Sequence, residues 1–212
     1  MMLRRLIAHL GLMLCLFLPF SVQAQGYNDD VIEYADVVPA QPTRSADKIE
    51  VIEFFWYGCP ACYALEPSLE HWLKNKPDDV EFIRIPAVLP PSWELLARAF
   101  YTAEALRIND RTHGLLFDAI HSDKRRFQTA EALADFYAGQ GVDRKKFIKT
   151  FNSFAITGKV RRAKKLTQRY GTDGVPTLIV NGKYRTGLGF TGSTNKLMSV
   201  IDKLIERERR QR

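Results

Sequence analysis

Apolar residues follow three rhythms along this chain. In "KIEVIEFFWY", Ile49, Val51 and Phe55 alternate with Ile52 and Phe54, so both faces are apolar. A strand of that kind is buried on both sides, the habit of a central strand in a covered sheet. A helix is expected to start at Cys59 or Pro60, and "VEFIRIP", Val80 to Pro86, reads as the next strand. From about Trp93 to Tyr170 the spacing changes to three and four residues. "SWELLARAFYTAEAL", "LADFYAGQG" and "DRKKFIKTFN" all show it, which predicts helix throughout. Asp143 is placed to cap the third of these. "VPTLIVNG", Val175 to Gly182, returns to strand, and Asn181-Gly182 signals a hairpin turn. "KYRTG" then pairs back, and "STNKLMSVIDKLIERERR" closes the chain as a helix. The predicted fold is α/β: a mixed sheet flanked by helices, interrupted by an all-helical subdomain at about residues 92–170.

The N-terminus changes the picture of where this domain works. "MMLRRLIAHLGLMLCLFLPFSVQAQ" has two early arginines, an apolar stretch from about Leu10 to Phe20, and the small-residue tripeptide Val22-Gln23-Ala24. That order predicts a secretory signal peptide over residues 1–24, cleaved after Ala24. Its apolar core is short for a membrane span, which needs about 20 residues. Cys15 is preceded by Leu12-Met13-Leu14, without the small residues of a lipoprotein signal. Residues 25–47, polar with Pro39 and Pro42, are expected as an extended lead-in to a domain at 48–212. Removing the 24 leader residues from 212 leaves 188, enough for one domain that buries about 70% of its unfolded surface. The two leader arginines go with it, taking the net charge from +7 to +5, which does not by itself call for nucleic acid.

Cleavage also removes Cys15, so the exported chain holds only Cys59 and Cys62, in a compartment where disulfides persist. With Cys59 as N-cap, Pro60 falls at the first helical position, where its missing N–H costs nothing. The free amides of Ala61, Cys62 and Tyr63 then point toward the Cys59 sulfur. A helix N-terminus favours negative charge by about 0.3–1 kcal/mol, so thiolate gains over thiol and the Cys59 pKa falls. Cys62 shares a helical stripe with Leu65, Leu69 and Trp72, which places it on the core face. Cys59 is thus expected as the exposed nucleophile and Cys62 as the buried resolving thiol.

Other uses of the pair fit less well. A bridge across two intervening residues closes almost no loop, so it is a poor staple. Structural zinc needs four ligands, and His71, His113 and His121 show no ligand spacing. A two-thiolate copper(I) site stays open. A second motif, "TDGVPTLIVNGKY", adds context. Pro176 there is either a strand-initiating proline or a cis-proline beside the dithiol.

With "EFFWYGCPACY", the helical insertion and "GVPTLIVNGKY" in order, the chain resembles the DsbA family of thioredoxin-fold dithiol oxidases of bacterial envelopes. The resemblance implies a Cys59–Cys62 disulfide that is donated to reduced exported proteins and restored by DsbB, a quinone-linked membrane partner. It implies no other cofactor and no metal, cis geometry at Pro176, and a periplasmic location. Pro60, Ala61 and Val175 are expected to tune the potential or dock substrate. The best-known members carry histidine where this chain has Ala61. Two alternatives remain: a reductase or isomerase of the same fold, and a copper(I) chaperone. The 23 lead-in residues are too few for the dimerisation domain that isomerases of this fold generally add, and a monomer is expected.

Several other residues have assigned expectations. Glu53, in the apolar strand, should be desolvated and is expected to exchange the Cys62 proton, to be neutralised by Arg84, or both. Trp56, Tyr57 and Tyr63, which flank the cysteines, are either core aromatics beside the strand or an apolar peptide-docking surface near the exposed sulfur. The three histidines read as surface or partly packed. "KVRRAKKLTQR", Lys159 to Arg169, reads as a solvated helix face, not as a nucleic-acid site.

Overall fold

The computed structural model describes residues 32–212, so the expected leader and the start of the lead-in lie outside it. The sheet begins within the lead-in. Strand β1 (Ala35–Asp36) is a two-residue edge that the sequence reading does not contain. Its chain has no apolar alternation, and what holds it is backbone pairing. Val37 N donates to Lys183 O at 2.7 Å and Gln41 N to Gly182 O at 2.9 Å.

Strand β2 (Ile49–Phe55) is buried at all seven positions. Helix α1 (Pro60–Asn75) follows, then β3 (Val80–Pro86), parallel to β2. After a 3-10 turn at Pro91–Trp93, five helices run from Glu94 to Arg169: α2 (Glu94–Ala105), α3 (Asn109–His121), α4 (Ala130–Gly139), α5 (Arg144–Phe151) and α6 (Phe154–Arg169). The expected continuous helical pattern is therefore divided. Thr129, Asp143 and Ser153 each cap a helix by accepting from an amide of its first turn, and each such cap stabilises by about 1 kcal/mol.

The chain returns to the sheet at β4 (Thr177–Val180) and β5 (Tyr184–Gly187). It then makes a short turn of helix, α7 (Leu188–Thr191), and ends on α8 (Thr194–Arg209). Asn181 and Gly182 take φ of 51° and 69°, both left-handed, and Lys183 N closes the turn on Val180 O at 3.0 Å. Two consecutive positive φ values are what a tight hairpin needs to match strand twist. At Gly182 a side chain would also strike the Gln41 carbonyl of the lead-in.

The strand order is β1-β5-β4-β2-β3, mixed, with β2 central between parallel β3 and antiparallel β4. One side buries Ile49, Val51, Leu178 and Val180 against Leu65, Leu69 and Trp72 of α1 and Leu197, Val200, Ile201 and Leu204 of α8. The other buries Ile52, Phe54 and Ile179 under the inserted helices, with Phe100, Leu116, Phe117, Leu133 and Tyr137 among the packing. This double cover is why β2 carries apolar residues on both faces.

Candidate active site

The end of β2 delivers the chain to α1 with Cys59 as N-cap at φ −88°, ψ 116°, and Pro60 at the first helical position. The Cys62 amide donates to Cys59 Sγ at 3.4 Å, while the Cys59 thiol donates to the Val175 carbonyl at 3.3 Å. Cys59 is half-buried and Cys62 has no exposed surface; both are free thiols. Pro60 is exposed, and Ala61 and Val175 are half-buried beside the sulfur's rim. Val175–Pro176 is cis, as is Val38–Pro39, and Pro176 is buried. Gly187 of β5 runs so close behind Pro176 that a Cβ there would lie 2.7 Å from the Pro176 carbonyl.

This placement separates the two thiols electrostatically. A hydrogen bond from the Cys62 thiol is the largest influence on Cys59. With the amides of Cys62 and Ala61 it outweighs partial burial and lowers the Cys59 pKa to about 6. Burial pushes the Cys62 pKa far up, with the Cys59 sulfur and the Glu53 carboxylate adding to the rise. The expected helix contribution is therefore present, but the neighbouring thiol is the stronger donor. Relative to an ordinary cysteine, a pKa of about 6 stabilises the folded thiolate at pH 7 by at most about 1.4 kcal/mol, or about 30 mV for the couple. Solvent reaching the half-exposed sulfur lowers both figures.

Behind Cys62 lies a charged cluster. The sheet register sets Glu53 opposite Arg84 across β2 and β3. Arg84 Nε is 3.2 Å from Glu53 Oε2, and Arg84 Nη2 is 3.1 Å from Glu66 Oε2 and 2.8 Å from Glu70 Oε1. The Glu53 contact is ionic proximity without alignment, because neither Glu53 oxygen has a directed hydrogen bond among the described residues. Complete burial, with Glu66 nearby, overrides the attraction of Arg84 and raises the Glu53 pKa to about 8. Glu66 is also buried, which alone would raise it. The hydrogen bond from His113, with the charge and hydrogen bond of Arg84, more than offsets this and holds it below the ordinary carboxylate value.

Two expectations need correction here. Tyr57 is 1% exposed and cannot form a docking surface; its ring packs among Phe55, His113 and Phe117. His113 is not a surface or loosely packed residue but is buried on α3. Its Nδ1 lies 2.8 Å from the Tyr57 hydroxyl and its Nε2 3.4 Å from Glu66 Oε1. Burial lowers the His113 pKa and keeps the ring neutral, so Nε2–H donates to Glu66 and the Tyr57 O–H donates to Nδ1. The signal for both missed residues is helical spacing. Glu66 is four residues after Cys62 on the core stripe, and His113 is four before Phe117. His121 approaches the same region, with its Nε2 2.8 Å from the Tyr57 carbonyl and its ring stacked on Tyr63 at 4.9 Å. Trp56 is half-buried and stacks on Trp93 at 4.3 Å and 2° between planes. Gly58 leaves room for the indole to fold back.

An accessible sulfur that ionises readily, backed by a hidden one that does not, is the requirement for dithiol–disulfide exchange. On this sheet it defines a thioredoxin-fold protein dithiol:disulfide oxidoreductase. Comparison with known proteins makes the class specific. Residues 50–198 match the family model of the DSBA-like thioredoxin domain. Over 177 residues the chain is 44% identical to the thiol:disulfide interchange protein DsbA of Pseudomonas aeruginosa, covering 84% of each chain. Against DsbA of Pseudomonas syringae pv. tomato it is 41% identical over 206 residues, 97% of this chain and 96% of that one. The crystal structure of Pseudomonas aeruginosa DsbA superposes with a TM-score of 0.81 over 84% of this chain and 93% of that one, at 44% identity. The oxidoreductase DsbA of Xylella fastidiosa gives 0.78 over 84% and 95%, at 32% identity. The chain belongs to the DsbA family.

Proposed function

We propose that this protein is an exported dithiol oxidase that donates a Cys59–Cys62 disulfide to reduced proteins outside the cytoplasm. In the oxidised form a client thiolate attacks Cys59 Sγ, the Cys59–Cys62 bond breaks, and Cys62 takes the departing electron pair. A second client thiolate then attacks the client sulfur of the mixed disulfide, forming the client disulfide and releasing Cys59 as thiolate. Two electrons have passed to the protein, and a DsbB-like membrane quinone reductase restores the disulfide. The Val175 carbonyl accepts from the Cys59 thiol at 3.3 Å, and Pro176 follows it through a cis peptide bond. We assign these two residues to client docking, and Pro60 and Ala61 to setting the potential.

The observation that carries this reading is the contrast between the two sulfurs: Cys59 lowered to about 6, Cys62 wholly buried with its pKa raised. It leads to a pH test. Alkylation of the reduced protein should label Cys59 alone, half-maximally near pH 6 and at a plateau above pH 7. If both thiols react slowly and titrate like free cysteine, the oxidase reading is lost.

Ala61 supports Cys59 with its backbone N–H but offers no side-chain charge or ring dipole. We expect Ala61→His to shift the glutathione equilibrium toward the reduced protein by roughly two- to fivefold, the scale of about 0.3–1 kcal/mol for a charge at a helix N-terminus. An unchanged equilibrium would remove position 61 from the residues that set the potential.

The leader sequence and the family together support release into the periplasm after cleavage at Ala24. Among the described residues no helix is long and apolar enough to cross a membrane. The mass of the protein recovered from a periplasmic extract tests the cleavage directly.

A further inference from the structure

Helix α6, "FAITGKVRRAKKLTQR", carries six basic residues and no acidic one. Its inner face is Ile156, Val160, Ala163 and Thr167, all buried. At about 100° per residue the opposite stripe is Phe154, Gly158, Arg161, Arg162, Lys165 and Arg169, and all six are exposed. The flanks of the helix are neutralised: Lys159 pairs with Glu104 at 2.5 Å and Lys164 with Glu94 at 3.7 Å. The central cations are not. Arg161, Arg162, Lys165 and Arg169 make no ion pair with any described residue, and they line a groove of about 460 Å³ against Gln41 and Pro42 of the lead-in.

Phe154, at the start of this stripe, is 95% exposed, the most exposed large apolar residue among those described. A solvated helix face needs no aromatic residue there, and burying the ring elsewhere would be favourable by about 1.5–3 kcal/mol. An exposed ring followed by a line of unpaired cations matches one kind of surface. The cations meet phosphate headgroups and the ring enters the boundary between headgroups and acyl chains. A soluble acidic peptide would satisfy the cations but leave the ring without a use.

We propose that the outer stripe of α6 is a docking face for a bilayer rich in anionic phospholipid, with Phe154 as its apolar anchor. Contact is reversible, because four cations and one ring fall short of a stable anchor. It draws on none of the dithiol residues, so it and the oxidase reading fail separately.

The test is co-sedimentation of the processed protein, purified from the periplasm, with vesicles of phosphatidylglycerol mixed with phosphatidylcholine and with phosphatidylcholine alone. Wild type should pellet with the anionic vesicles only, and less at raised salt. Each cation near a strongly anionic surface is worth about fivefold in partition, so R161S/R162S/K165S/R169S should bind at least about fiftyfold more weakly. F154S should lose binding several-fold without losing the salt dependence. Both variants should keep the far-ultraviolet dichroism and disulfide-exchange rate of wild type, since neither substitution touches the buried face. Equal binding to both vesicle types, no binding to either, or undiminished binding by the quadruple variant overturns the proposal. So does displacement from vesicles by poly-glutamate at charge concentrations matching the lipid, which would mark the stripe as a peptide site.

Discussion

Cys59→Ser is expected to abolish disulfide exchange, with the rate of oxidation of a reduced peptide falling at least about a thousandfold. A serine hydroxyl stays protonated across the accessible pH range and cannot form a disulfide. Cys62→Ser should behave differently. It cannot form the Cys59–Cys62 disulfide, but its Cys59 thiolate still attacks a disulfide-bonded peptide, expelling one peptide sulfur as thiolate, and with no Cys62 thiolate to displace the captured sulfur the mixed disulfide at Cys59 should accumulate and be visible by mass. The two substitutions at position 62 should also separate. The Cys62 thiol is the largest contributor to the lowered Cys59 pKa. Cys62→Ala should therefore raise the Cys59 pKa from about 6 toward that of an ordinary cysteine, while Cys62→Ser, which keeps an O–H donor, should hold it lower. Ultraviolet absorbance of the thiolate across a pH series reads this. Equal Cys59 titrations in the two variants would leave the backbone amides as the controlling donors.

The second large effect is on stability. Arg84→Ala should destabilise the fold by about 3–5 kcal/mol in urea unfolding at pH 7, because it leaves buried carboxylate charge without its partner. Among the described residues Arg84 is the one cation that Glu53, Glu66 and Glu70 all approach, at 3.2, 3.1 and 2.8 Å. The loss should sharpen as pH rises. Glu53 has its folded pKa raised from 4.5 to about 8, so the folded state holds a proton that the unfolded state releases between those values. Stability from this group is therefore complete below about pH 4.5 and is lost as pH climbs through about 8. Glu53→Gln removes that fall, and at pH 7 it should cost far less than Arg84→Ala, since Glu53 is already mostly protonated. If Glu53 also exchanges the Cys62 proton, as we propose, Glu53→Gln will alter the pH dependence of disulfide exchange. An unchanged profile would leave Glu53 a purely structural group. An Arg84→Ala variant as stable as wild type would mean the cluster is solvated enough to dispense with its cation.

Much of this was present in the one-dimensional pattern, for a reason that can be stated residue by residue. The Cys-Pro-Ala-Cys stretch builds its own local geometry: a cap, a proline at the first helical position, and a second cysteine on the stripe of Leu65, Leu69 and Trp72. The Asn181-Gly182 hairpin and the Asp143 cap are local too, set by backbone preferences over three or four residues. Such features need no knowledge of the rest of the chain.

What only the folded chain decided involves residues brought together from far apart. The edge strand at Ala35–Asp36 exists because β5 offers it unpaired backbone groups, and its own side chains carry no such signal. Tyr57 looked like a docking residue from its place beside Cys59, and burial under α3 overruled that. His113 was one histidine among several until the insertion folded it between Tyr57 and Glu66, residues 56 and 47 positions away. Sequence alone therefore determined the dithiol and the elements that carry it, because helix caps, turns and apolar periodicity are short-range. The tertiary structure decided which charges share one dry space and which side chains reach solvent, because burial and Coulomb attraction act between neighbours in space, whatever their separation along the chain.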